Sequence, residues 1–281
     1  MEYRRVKTIQ EAISFLSEYE GKAKIIAGGT DLMVDIKNRS VKPECLVDIE
    51  GIPGLNYINY SMNKGFEIGA LTPIKSLEVS PEIRSSHPII QQAAKQLGSI
   101  AIRNVATIGG NLCNAAPSAE TAPCLIGLSA RVSAIGLHGE RELELEKFFT
   151  GPGCTVLEPE EVLTTVRIPL HPSSMRGVYL KHSIREVDLS IVSIAVIVSF
   201  AADMQTCNDV RIVLGAVAPT PMRAKRAEDL LRGKPLHESL IEKCAQTASD
   251  ESRPITDVRG SADYRREMVK VFTRRAIKQL L

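Results

Sequence analysis

Two Gly-Gly pairs constrain this sequence more than any other feature. The first lies in "IIAGGTDLM" (residues 25–33), closing the apolar run "AKIIA"; the second lies in "ATIGGNLCNAAPSAETAP" (residues 106–123). A threonine and a short polar side chain stand beside each pair. Without a Cβ, glycine lets a ligand approach the backbone and lets successive N–H groups turn into one concavity. Where such a turn opens a helix, unpaired amides and the helix dipole favour an anion. Gly28 to Leu32 would offer amides, with the Thr30 hydroxyl as a further donor, and Thr107 to Leu112 would do so from the opposite side. Each pair alone is most often just a plain turn, with Asp31 a helix N-terminal charge and Pro117 and Pro123 loop stiffeners. Together the two segments suit a diphosphate held without any lysine.

Other motifs and composition remove competing classes. The sequence contains no GxxxxGK[ST], which excludes a triphosphate P-loop, and no GxGxxG, which leaves the usual Rossmann site unsupported. At 281 residues, 44% hydrophobic and 24% charged, it is a chain for two or three compact units with a full core. A net charge of +2, no Trp and few Phe or Tyr do not fit a nucleic-acid binder. The longest apolar stretch, "SIVSIAVIVSFAA" (residues 190–202), is too short for a membrane span and reads as a buried strand. The start, "MEYRRVKTIQEAISF", lacks a signal-peptide core, so the expected location is cytoplasmic. Cys45, Cys113, Cys124, Cys154, Cys207 and Cys244 are scattered without CxxC or metal-ligand spacing, so they read as buried free thiols and no metal site is expected here.

Thr8 followed by Glu11 is a capping box that opens a helix to about Tyr19. "AKIIA" reads as a strand, "TDLMVDIKN" as a helix and "CLVDI" (45–49) as a second strand, giving one α/β unit. "GFEIGALTPI" (65–74) starts as a strand, and "IIQQAAKQLGS" (89–99) is a helix with Pro88 in its first turn. "PCLIGLSARVSAI" reads as a helix leading to a strand, and "EVLTTVRIPL" (161–170) as another strand. From about residue 173, "GVYLKHSI", "SIVSIAVIVSF" and "DVRIVLGAVA" read as three antiparallel strands. Three helices follow, the first stopped by Gly233.

At these residues the sequence resembles the FAD-binding (medium) subunit of the molybdenum hydroxylases, the xanthine dehydrogenase and carbon monoxide dehydrogenase family. The resemblance rests on "IIAGGTDLM" and "IRNVATIGGNLCNAAPSAETAP", followed in order by "YLKHSIREVDLSIVSIAV" (179–196) and "VLGAVAPTPMRA" (213–224), and covers nearly the whole chain. It implies an α+β fold. A PCMH-type (vanillyl-alcohol-oxidase-like) FAD-binding domain would span residues 1–172 as two α/β subdomains, about 1–53 and 54–172. A C-terminal domain over 173–281 would combine a three-stranded antiparallel sheet with a helical bundle.

The resemblance also implies the site. Ile25, Ile26, Ala27, Gly28, Gly29, Thr30, Asp31 and Leu32 would wrap the FAD pyrophosphate. Ala106, Thr107, Gly109, Gly110, Asn111, Cys113 and Asn114 would close on it from the second subdomain. Glu120 would lie near the adenosine ribose, Leu97 and Leu163 beside the ring systems, and Lys181 near the flavin. Apart from the resemblance, Arg103 and Asn104 read as orienting the second segment rather than touching substrate, and Arg185 with Asp188 as a domain-closing ion pair rather than a cofactor contact. No residue of this chain would be catalytic. The implied function is electron transfer from [2Fe-2S] centres on a small partner subunit, through FAD, to an acceptor such as NAD+. Substrate would be hydroxylated at a molybdopterin centre on a large partner subunit. A free-standing FAD-dependent oxidoreductase of the same fold, or a nucleotide-binding adaptor without redox turnover, would be the alternatives.

Overall fold

A computed structural model describes all residues, Met1–Leu281. The first unit contains β1 (Glu2–Arg5), α1 (Ile9–Glu18), β2 (Ala23–Ile26), α2 (Leu32–Lys37) and β3 (Cys45–Asp48). Its three strands form a parallel sheet in the order β1-β3-β2. Helix α1 starts where the capping box places it: the Glu11 N–H donates to Thr8 Oγ1 at 3.1 Å. The Glu11 carboxylate accepts the Lys7 N–H at 2.7 Å, one residue further back than the motif requires. Strand β1 was not among the sequence-based expectations. Its residues, Glu-Tyr-Arg-Arg, are all exposed and lack apolar alternation, so it is a strand through its pairing with β3, by the backbone ladder and by the bonds of Tyr3 and Arg5 to Asp48.

The second unit contains β4 (Ile58–Ser61), β5 (Gly65–Gly69), α3 (Ile74–Val79), α4 (Pro81–Ser86), α5 (Pro88–Lys95), α6 (Ile100–Val105), α7 (Ile108–Cys113) and α8 (Thr121–Gly127). It continues with β6 (Arg131–Gly136), β7 (Gly139–Glu144), the hairpin β8 (Phe149–Gly151) and β9 (Cys154–Thr155), and β10 (Val162–Ile168). Five of its strands form an antiparallel sheet in the order β4-β5-β10-β6-β7.

The C-terminal unit has three long antiparallel strands, β11 (Met175–His182), β12 (Val192–Phe200) and β13 (Thr206–Gly215). Two short strands, β14 (Met222–Arg223) and β15 (Lys234–Pro235), extend this sheet beside β13. Helices α9 (Lys225–Leu231), α10 (Glu238–Glu251) and α11 (Ala262–Leu280) complete it.

The uninterrupted apolar run of β12 follows from its position. Ala195 and Ile197 join the core of the second unit, while Ile194, Val196 and Val198 join the core under α9, α10 and α11. A strand covered on both faces has no solvent side on which polar residues could alternate. The sheet is thereby a wall shared by two cores, and β11 at its edge lies against α5 of the second unit. No helix of the chain is long and apolar enough to cross a membrane. Cys45, Cys124, Cys207 and Cys244 are buried free thiols as expected, but Cys113 and Cys154 are exposed.

Candidate cofactor site

Strand β2 delivers the first glycine segment. Its last carbonyl, on Ile26, accepts the Ile49 N–H at 3.1 Å, and the chain then leaves the sheet. Ile25 to Thr30 are half-buried. Gly29 has φ +65, a left-handed conformation that glycine adopts without penalty. From Ala27 through Leu32, no backbone N–H donates to any protein acceptor. Backbone donors withdrawn from water are nearly always paired, so the half-buried ones here, all but that of Asp31, are open to acceptor atoms from outside the chain. Helix α2 is too short to carry much dipole and Asp31 makes no capping hydrogen bond, so the amides themselves are what this segment could offer an anion.

The two glycine segments meet. A Cβ on Gly28 would lie 1.9 Å from the Val105 carbonyl oxygen and 3.0 Å from the Ala106 nitrogen. Only glycine permits this contact, which places Ala27–Leu32 directly against the entry to the second segment. That segment is helical rather than a loop: Thr107 caps α7, its Oγ1 accepting the Gly110 N–H at 3.0 Å.

Its amides depart from the expectation that Thr107 to Leu112 would all be donors to a ligand. The Ile108 N–H donates to Thr72 O at 3.0 Å, the Gly109 N–H to Ala70 O at 2.9 Å, and the Asn111 N–H to Thr107 O at 2.9 Å. Ala70 in turn donates to Thr164 O on β10, so α7 is moored to the sheet below it. Gly109 is buried against Ala70, whereas Gly110 is exposed and a Cβ there would meet only Thr107 Oγ1. The second segment therefore contributes a firm wall, with Gly110 and Asn111 as its accessible part.

From Asn111 the polar contacts run on into the C-terminal unit. Asn111 Oδ1 accepts the Thr121 hydroxyl at 2.5 Å. Beside it, Glu120 Oε1 accepts from Lys181 Nζ on β11 at 3.0 Å and from the Ser190 hydroxyl at 3.5 Å. Both side chains of this ion pair are buried, 2% exposed for Lys181 and 5% for Glu120. Burial pushes the Glu120 carboxyl above the usual carboxylate range, and the Lys181 ammonium partly offsets that shift. Lys181 is held on its other side by the Gln96 carbonyl at 2.7 Å. The hydroxyls of Tyr179, Ser190 and Ser193 are buried together beside this pair.

The other expected residues lie around these contacts. Glu120 and Lys181, expected near the ribose and the flavin respectively, are in contact with each other. Leu97 and Leu163 are core side chains of the second unit, 6% and 4% exposed. Cys113 is exposed and Asn114 half-buried at the far end of α7. Arg103 does orient its segment: it is buried and bonds Glu78 at 2.8 Å, Leu97 O at 3.1 Å and Gly98 O at 2.8 Å. Arg185 and Asp188 form no domain-closing ion pair. The Arg185 backbone N–H donates to Asp188 Oδ2 at 3.2 Å, closing an exposed turn. Gln92 and Gln96 were not singled out from sequence, since surface-type glutamines on an amphipathic helix carry no local sign of a partner strand. The concavity of about 210 Å³ bordered by Glu67, Arg131 and Arg167 involves none of the glycine-segment residues.

These donors fit a dinucleotide: unpaired amides for a diphosphate, a second wall in contact, and a buried acceptor–donor pair further along. Comparison with known proteins agrees. Residues 1–171 match the FAD binding domain in molybdopterin dehydrogenase, and residues 178–280 match the CO dehydrogenase flavoprotein C-terminal domain. The glyceraldehyde dehydrogenase medium chain of Sulfolobus acidocaldarius is 32% identical over 99% of this chain and 97% of its own. The putative xanthine dehydrogenase FAD-binding subunit of Escherichia coli is 29% identical over 99% and 94%. Among solved structures, carbon monoxide dehydrogenase from Hydrogenophaga pseudoflava superposes with a TM-score of 0.95 at 32% identity, covering 99% of this chain and 96% of that one. Quinoline 2-oxidoreductase from Pseudomonas putida 86 gives 0.92 at 31%, covering 100% and 96%. The chain belongs to the FAD-binding medium subunits of the molybdenum hydroxylase family, and is an FAD-dependent, electron-transferring oxidoreductase subunit.

Proposed function

We propose that this chain relays electrons within a heterotrimeric molybdenum hydroxylase, holding FAD between Ala27–Leu32 and Thr107–Asn111. The FAD-binding domain comprises residues 1–172 and the C-terminal domain residues 173–281. A large partner subunit carries the molybdopterin centre that hydroxylates substrate, and a small partner carries [2Fe-2S] centres. FAD, when bound, supplies a group able to take electrons singly from such a centre and release them in pairs to an acceptor such as NAD+.

The chain's own residues bind and orient. The Ala27–Leu32 amides take the diphosphate oxygens, and the Gly28 contact with Val105 keeps the opposing wall close enough to exclude water. Thr107 holds the Gly110 amide, and Asn111 ties α7 to Thr121. Glu120 and Lys181 together present an acceptor and a donor to one polar edge of the ligand. Ile25 and Ile26 support the segment from β2, and Leu97 and Leu163 back it from the core.

The observation that carries this reading is the run of six amides without protein acceptors. Substrate selection belongs to the large partner. The named relatives act on glyceraldehyde, xanthine and carbon monoxide, yet their medium chains are similar to this one nearly end to end. Purification with native partners, followed by absorbance spectroscopy and subunit identification, tests the assignment. Stoichiometric flavin together with molybdopterin and iron–sulfur subunits is expected. A chain that neither carries nor takes up FAD would contradict it. Flavin reduction by an organic substrate without any partner would favour the free-standing oxidoreductase instead.

A further inference from the structure

Strand β11 has no strand beyond it on its outer edge, and α5 of the FAD-binding domain lies along that edge. One helix face makes the junction. Ile89, Gln92 and Gln96 meet Gly177, Tyr179 and Lys181, so helical spacing on one side matches the alternation of a strand on the other. Gly177 packs on Ile89, where a Cβ would come within 3.2 Å. Gln92 Oε1 accepts the Tyr179 backbone N–H at 2.9 Å, and the Gln96 carbonyl accepts from Lys181 Nζ at 2.7 Å. The Tyr179 N–H points away from β12, and Gln92 is its acceptor.

We propose that Gln92 is a positioning residue for the cofactor site: its carboxamide fixes β11 against α5 and thereby sets where Lys181 meets Glu120. The inference rests on the reading that Lys181 and Glu120 contact bound FAD. Lys181 lies two residues from the clamped amide on the same face of β11, and its ammonium must satisfy Glu120 and the Gln96 carbonyl at once. A long, flexible side chain meets two fixed acceptors only if its backbone is fixed too. Removing the Gln92 acceptor leaves a part-buried N–H unpaired, and the strand edge is then free to move outward for water.

The test is a double-mutant cycle on the full chain, with FAD affinity and amide hydrogen exchange as readouts. Gln92→Leu keeps the apolar stem and removes the acceptor. It is expected to weaken FAD binding about tenfold and to speed exchange of the Tyr179 amide at least as much. Gln92→Glu retains an acceptor oxygen and restores the protection of that amide. If Gln92 acts through Lys181, Gln92→Leu adds nothing to the affinity loss of Lys181→Met. Losses that add across the cycle, or faster exchange with unchanged affinity, would overturn the positioning role. A wild-type chain that takes up no FAD fails the cofactor assignment itself, whereas unchanged Tyr179 exchange in Gln92→Leu fails only the clamp.

Discussion

Replacing Gly28 by alanine is the sharpest single perturbation of the site. The new Cβ would sit 1.9 Å from the Val105 carbonyl oxygen and 2.6 Å from its carbon, where ordinary contact begins at 3.4 Å. One segment must therefore retreat by about 1.5 Å, from 1.9 Å to the 3.4 Å of ordinary contact. Neither side yields freely. The Ala106 N–H donates to Ile102 O at 2.8 Å, Ala106 O accepts the Ile74 N–H at 2.8 Å, and Ile26 O is anchored by Ile49. The clash is with backbone, which no rotamer change relieves, so the cost lies near the upper end for overpacking, about 3 kcal/mol. Where the ligand requires both segments together, that strain is carried in the complex and appears as about a hundredfold weaker FAD affinity. The assay compares flavin content and fluorescence-monitored FAD binding with those of Gly151→Ala, whose Cβ would approach only Cys154, at 4.0 Å. Gly28→Ala with wild-type affinity would refute the claim that contact between the segments matters for binding.

Further outcomes follow from the same contacts. Gly110→Val puts a branched side chain on the exposed part of α7 and against Thr107 Oγ1; it should abolish FAD retention while the C-terminal domain stays folded, checked by flavin content and circular dichroism. Thr107→Val removes the cap of α7 and should cost about 1 kcal/mol in denaturant unfolding. Glu120→Ala leaves the buried Lys181 ammonium with the Gln96 carbonyl alone and should destabilise by about 3 kcal/mol by the same method. His87 is buried, faces His171, and has neither ring nitrogen paired, so burial pushes its imidazole down to about 4. The stability tied to its neutral form is complete above pH 6.5 and is lost as pH falls from there towards 4, about 3 kcal/mol in all. His87→Phe should flatten the pH dependence of Tm across that window.

What the sequence disclosed depended on whether the cause was local. Helix α1 was visible because Thr8 and Glu11 act within one turn, and α5 because Pro88 is preset for a first helical turn. Strand β12 was visible as an apolar run, since burial on both faces removes the alternation. Helix α7 was hidden. Two adjacent glycines oppose helix formation, and bonds to Ala70 and Thr72 on a distant segment overcome that preference. The glycine segments themselves were legible, but their mutual contact was not, because the Gly28 fit to Val105 is set by tertiary approach. Likewise Glu120 and Lys181 were both singled out, but their mutual contact was not. Their separation of 61 residues leaves no local trace of the ion pair.

Hydrogen exchange of the Ala27–Leu32 amides, measured before and after adding FAD to the cofactor-free chain, is the most direct test of the site. These donors have no protein acceptor, so exchange should be fast without ligand and should slow strongly in its presence. Exchange in the remote edge strand β7 should stay unchanged. Tight FAD binding that leaves all six amides exchanging at their original rate would place the diphosphate elsewhere and contradict the account.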